Sequence, residues 1–164
     1  MLNRALHTAA AAGDADAVEA LLARGADPTA PGPDGRTAAQ RVSRGDPSCD
    51  PEDVAAWRQL RQRLEAAAAR VACVALHAPA GVLAGPLRVW VARTVPSPLD
   101  QGGGQLQVEV SPLAPGRLLV QVRGDYHGAL PASDPPWSLQ AEVELTVDDD
   151  GHVLTEHRRR WTTA

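Results

Sequence analysis

The feature that most constrains this chain is a change in the spacing of its apolar residues. Up to about residue 70 they recur three and four positions apart, as in Val18, Leu21 and Leu22 and again in Val54, Trp57, Leu60 and Leu64. Farther on they alternate, most plainly in Leu139, Ala141, Val143, Leu145 and Val147 against Gln140, Glu142, Glu144 and Thr146. The first spacing keeps one face of a helix dry and the second keeps one face of a strand dry. Composition changes at the same place, from Ala, Leu and Arg to Val, Gly, Pro and alternating polar residues. The 164 residues therefore read as two small domains, a helical one over 1–70 and an antiparallel β-sheet domain over 71–164, an α+β class.

Leu6 to Asp27 splits into two short helices. Gly13 breaks them because it can take the positive φ that ends the first, and Asp14 and Asp16 place carboxylates at the start of the second. Gly25 stops the second helix. In order, Leu6, His7, Ala9, Ala10, Gly13, Val18, Leu21, Leu22, Gly25, Ala26 and Asp27 resemble the ankyrin repeat, with Arg4 and Ala5 where that family has Thr and Pro. Ala39 lies 33 residues after Leu6, in register with the repeat length of about 33. The sequence from Asp34 to Gln40 reads as a weakened second copy. An insertion at Pro47 to Pro51 follows, then a long closing helix from Pro51 to about Arg70.

The resemblance implies short helix-turn-helix repeats that bind another protein through the turn tip and first-helix surface. The matching positions here are Thr8, Ala12, Pro33, Asp34, Arg36, Arg41 and Arg44. His7 is expected to be a hydrogen-bonding residue of the turn rather than a ligand. Arg36 falls at the turn tip, and Arg41 and Arg44, three apart, should point the same way and suit a partner with an acidic face. A solvated helix face paired with Asp34 and Asp46 accounts for the same residues.

Five strands are expected in the second half: Leu87 to Val95, then runs centred on Leu106 to Val110, Leu118 to Val122 and Leu139 to Val147, and last about His152 to Trp161. Turns at Gly102-Gly103-Gly104, Ala114-Pro115-Gly116, a loop over Gly124 to Pro136, and Asp148-Asp149-Asp150-Gly151 join them into a meander. The expected cover for its dry face is the helix from Glu52 to Arg70 with the apolar stretch Val71 to Leu83, a sheet packed on a helix.

No constellation demands chemistry. The Asp triplet lacks the spacing of a calcium loop, Asp125, Tyr126 and His127 stand without a nucleophile motif, and no phosphate-loop pattern occurs. The run Glu156 to Trp161 reads as a charge-guarded edge strand. Net charge is about −1 before residue 71 and about −3 after it, with every basic residue an Arg, so nucleic acid is not an expected partner. Cys49 and Cys73 read as reduced thiols. No apolar run reaches a membrane span and Met1 to Gly13 lacks a secretory h-region, so a cytoplasmic location is expected. The reading is a protein-interaction module, adaptor, inhibitor or regulatory binding protein, that is not an enzyme and uses no cofactor or metal. The alternative is a small-molecule-binding or enzymatic curved sheet with an ankyrin appendage, its pocket lined by Trp90, Tyr126, His127 or Trp137.

Overall fold

A computed structural model describes residues 1–42, 50–95, 105–126 and 137–163. The chain forms two compact units, Met1–Ala72 and Cys73–Ala164.

In the first unit, α1 (Leu2–Ala12) ends at Gly13, which sits at φ 72. The Gly13 N–H bonds Ala10 O and the Asp14 N–H bonds Ala9 O, so two carbonyls at the helix end are satisfied in a Schellman closure. Asp14 then caps α2 (Ala15–Ala23), its side chain accepting from Ala17 N at 3.0 Å. Gly25 repeats the device at φ 94, with Gly25 N on Leu22 O and Ala26 N on Leu21 O. After a turn closed by Gly32 N to Arg36 O at 2.8 Å, Thr37 and Gln40 form a capping box on the four-residue α3 (Ala38–Arg41). The last helix, α4, spans Pro51–Ala72. The first helix starts at Leu2, so Arg4 and Ala5 lie inside it rather than at its cap.

The core of this unit is Leu6, Ala9, Ala10, Val18, Ala26, Ala38, Ala39, Val42, Leu60 and Leu64, half of them alanines that let helix backbones approach closely. Leu6 and Ala39 share that core, as do Ala9 and Val42, each pair one repeat length apart. In α2 the buried residue is Val18, while Leu21 and Leu22 pack on the core's margin. His7 is buried, with Nε2 3.0 Å from Ala30 O across the turn.

The packing of α4 is visible within its own unit. Leu60 and Leu64 lie inside the helical core, Trp57 packs on it, and Val54 is exposed. Its buried stripe therefore packs on the helices of its own unit.

The second unit is a five-stranded sheet of order β1-β2-β3-β4-β5. Its strands are β1 (Val74–His77), β2 (Gln105–Ala114), β3 (Arg117–Tyr126), β4 (Trp137–Val147) and β5 (Val153–Thr163), with a helix α5 (Ala84–Thr94) between β1 and β2. Strands β2 to β5 form an antiparallel meander, but β1 runs parallel to β2. A parallel pair needs a crossover, and α5 supplies it.

Two expectations about this half are overturned. The segment Leu87 to Val95 is a helix, not the first strand. Its alternating valines hide a helical set, Leu87, Trp90, Val91 and Val95, all buried. The first strand instead lies inside the stretch read as a cover, at Val74–His77. The sheet does pack on a helix, and that helix is α5, which contacts β1 and β5. The dry face carries Leu106, Val108, Val110, Leu118, Val120, Val122, Leu139, Ala141, Val143 and Leu145, all buried.

The turns follow the sequence in part. Gly116 and Gly151 take positive φ in the β2–β3 and β4–β5 turns. Gly124, Asp125 and Tyr126, expected to open a loop, are strand residues paired with Leu139, Ser138 and Trp137, and the rest of that expected loop up to Pro136 lies outside the described residues. Gly102-Gly103-Gly104 and His127 lie outside the described residues. Strand β5 is an exposed edge whose charges pair within the sheet: Arg159 with Glu144 at 2.6 Å and Arg158 with Glu156 at 3.2 Å. A register shift opposite Glu142 and Val143 further spoils that edge for pairing.

Candidate functional site

The positions singled out on the ankyrin-like surface fall into three groups. Pro33, Asp34 and Arg36 are exposed on the turn before α3, and Arg41, the last residue of α3, is half-buried. Thr8 and Ala12 are exposed on α1, one helical turn apart, and the Thr8 hydroxyl donates to Arg4 O at 3.2 Å. Arg44 lies outside the described residues, as does Cys49. The described part of α3 ends at Arg41, and the expected alignment of Arg41 with Arg44 lies outside the described residues.

Arg36 and Arg41 both line a cleft of about 590 Å³, together with Ala39, Gln40, Val42, Arg61 and Glu65. Three guanidinium groups meet one carboxylate in its wall. Each comes from a different element: Arg36 from the turn, Arg41 from α3 and Arg61 from α4. The apolar packing of α3 on α4 brings them together, because Ala38, Ala39, Leu60 and Leu64 share the core beneath. Thr8 and Ala12 do not line this cleft.

Local bonds hold two of the three arginines in place. Arg41 Nη2 donates to Asp34 Oδ1 at 2.5 Å, and Arg61 Nη2 donates to Val42 O at 3.1 Å. Asp34 also accepts from the Arg36 backbone N–H at 3.2 Å. The hydrogen bond from Arg41 holds the Asp34 carboxyl below its ordinary 3.8, burial opposing it and the Arg36 amide and Arg41 charge assisting. The local pairing with Asp34 anticipated from the sequence is therefore present for Arg41. Arg36 keeps its side chain free of any ion pair among the described residues. Arg41 Nε is shielded from solvent with no acceptor among the described residues, which leaves a donor desolvated and unsatisfied.

Sequence reasoning passed over Arg61, Gln40 and Glu65. The signal for Arg61 was in the helical spacing. It follows Trp57 by four residues and adjoins Leu60 and Leu64, so it must flank the buried stripe of α4. Chemically the cleft offers planar, permanently charged donors suited to a carboxylate or phosphate. Among the described residues no group of three His, Cys, Asp or Glu side chains could hold a metal ion. Nor is any helix long and apolar enough to cross a membrane.

Trp90, named for the alternative pocket, is a core residue 8 % exposed on α5. Tyr126 and Trp137 pair across β3 and β4 through their backbones.

No curated protein and no solved structure matches the chain, and the C-terminal half matches no family. Residues 2–33 match the ankyrin repeat family, and it is to that family that the N-terminal end of the chain is similar.

Proposed function

We propose that this chain is a protein-interaction module, not an enzyme, and that its ankyrin-like unit engages an acidic segment of a partner protein at the cleft of Arg36, Arg41 and Arg61. The observation that carries this reading is the meeting of Arg36, Arg41 and Arg61 in one cleft, with no ion pair on Arg36 among the described residues. A carboxylate entering the cleft meets planar, charged donors that attract it and fix its orientation. Three guanidiniums are too few, and the chain too acidic at −4, for a nucleic-acid backbone to be the preferred polyanion. The free half-buried thiol of Cys73 suits a reducing compartment, and the cytoplasm is the location we assign.

Two exposed variants test it in capture experiments with the intact chain. Arg36→Glu reverses an exposed charge without touching the core, so capture of an acidic partner should fall while the melting temperature holds. Asp34→Asn releases Arg41 from its local carboxylate, so capture should hold or strengthen, most clearly at low salt. Capture that is indifferent to both substitutions and to salt would sink the assignment.

A further inference from the structure

A second cavity lies wholly within the sheet unit. It encloses about 590 Å³ and is walled by three chain segments: Ala80 to Leu83 with Leu87, the β2–β3 turn from Pro112 to Gly116, and the β4–β5 turn at Val147 to Gly151. We propose that this niche binds a small amphipathic amine, its hydrocarbon part on Leu83 and Leu113 and its ammonium group at Asp149.

The apolar part of the argument is exposure. Leu83 and Leu113 stand 51 % and 44 % exposed and both line the niche, beside Val82, Pro112 and Pro115. The fold keeps them there. Gly151, at φ 78, lies so close to Leu83 that a Cβ on it would come within 2.8 Å of the Leu83 Cβ. The leucine is thereby pressed against the turn that carries the carboxylates. Such apolar area, left open to water, favours any ligand that covers it.

The polar part is charge. Among the described residues, the ionisable ones in the wall are Asp148 and Asp149. Asp148 is occupied by its own turn: Oδ1 accepts from Asp150 N at 3.0 Å and His152 N at 2.8 Å, and Oδ2 lies 3.5 Å from His152 Nδ1. Asp149 is exposed, with no hydrogen bond or ion pair among the described residues. The start of α5, whose N-cap is Leu83, contributes a partial charge of roughly +0.5. Two carboxylates outweigh it, so the niche selects a cation. Walls drawn from three short segments suit a small molecule better than a long chain.

The test is a titration of the intact, ¹⁵N-labelled chain at neutral pH and low salt with n-heptylammonium chloride and, separately, sodium heptanoate. The expected result is saturable shifts from heptylammonium at the amides of Gly81, Leu113, Gly116 and Gly151, with heptanoate at least about five-fold weaker. Asp149→Asn should weaken heptylammonium binding about two- to five-fold, the range of one exposed ion pair. Leu113→Ser should weaken it about three- to ten-fold. Both residues are exposed, so an unchanged melting temperature separates lost binding from lost fold. Equal binding of the two probes, or affinity unchanged by Asp149→Asn, overturns the ionic anchor. The absence of saturable shifts at these four amides overturns the site itself. Arg36→Glu should leave every one of these readings unchanged, since this niche does not depend on the arginine cleft.

Discussion

Leu64→Ala tests the packing of α4 most directly. Leu64 is 0 % exposed and sits in one core with Leu6, Val18, Ala38, Ala39 and Leu60. Truncating such a leucine costs about 2–5 kcal/mol, the upper end applying where the surroundings cannot collapse into the void. Half of that core is alanine, whose side chains have no rotamers with which to fill a void, which favours the upper half of that range. A unit the size of Met1–Ala72 has a stability on the order of 4–11 kcal/mol, so the substitution removes a large share of it. For a domain of that size the melting temperature should fall by at least about 10 °C. Hydrogen exchange on the intact variant locates the damage, because protection tracks the local opening free energy. Amides of α1, α2 and the C-terminal half of α4 should lose protection, while those of β2, β3 and β4 keep theirs. Loss of protection in the strands with the helices unaffected would refute the assignment of α4's stripe to the helical core. Val54→Ala, at an exposed position on the same helix, is the control and should cost under about 0.5 kcal/mol.

Three further outcomes follow from the helical unit. Gly13→Ala forces a side chain into the left-handed region, a cost of about 1–2 kcal/mol, and sets its Cβ 2.6 Å from Trp57 Nε1; chemical denaturation should show a loss larger than the backbone strain alone. Thr37→Ala removes half of the capping box on α3 and should cost about 1 kcal/mol, read as a lower denaturation midpoint with an unchanged slope. For Asp34 the folded-state carboxyl titrates below its unfolded value of 3.8, so its stabilising contribution is fully present above that value and is lost as pH falls through the lower, folded one. The melting-temperature advantage of the wild type over Asp34→Asn should therefore persist from neutrality down to pH 3.8 and shrink below it; an advantage that grows with acidity would contradict the Arg41 pairing.

What the sequence determined by itself is local. Gly13 and Gly25 end helices because their missing Cβ permits positive φ, and Asp14 and Thr37 start them because short polar side chains reach free amides. The meander from β2 to β5 was legible from alternation and turn residues, since a pleat sends neighbouring side chains to opposite faces whatever lies beyond. The tertiary structure decided where periodicity is ambiguous or where partners are distant in sequence. Leu87 to Val95 satisfies both periods, and its helical choice follows from β1 pairing parallel to β2, which requires a crossover between them. A four-residue strand such as Val74–His77 carries too few alternations to announce itself. The stripe of α4 was readable, but not what it packs on, because apolar burial is non-directional and any dry face would serve. Likewise Arg36 and Arg41 were visible beside the turn, whereas Arg61 joins them only because Leu60 and Leu64 anchor α4 against α3.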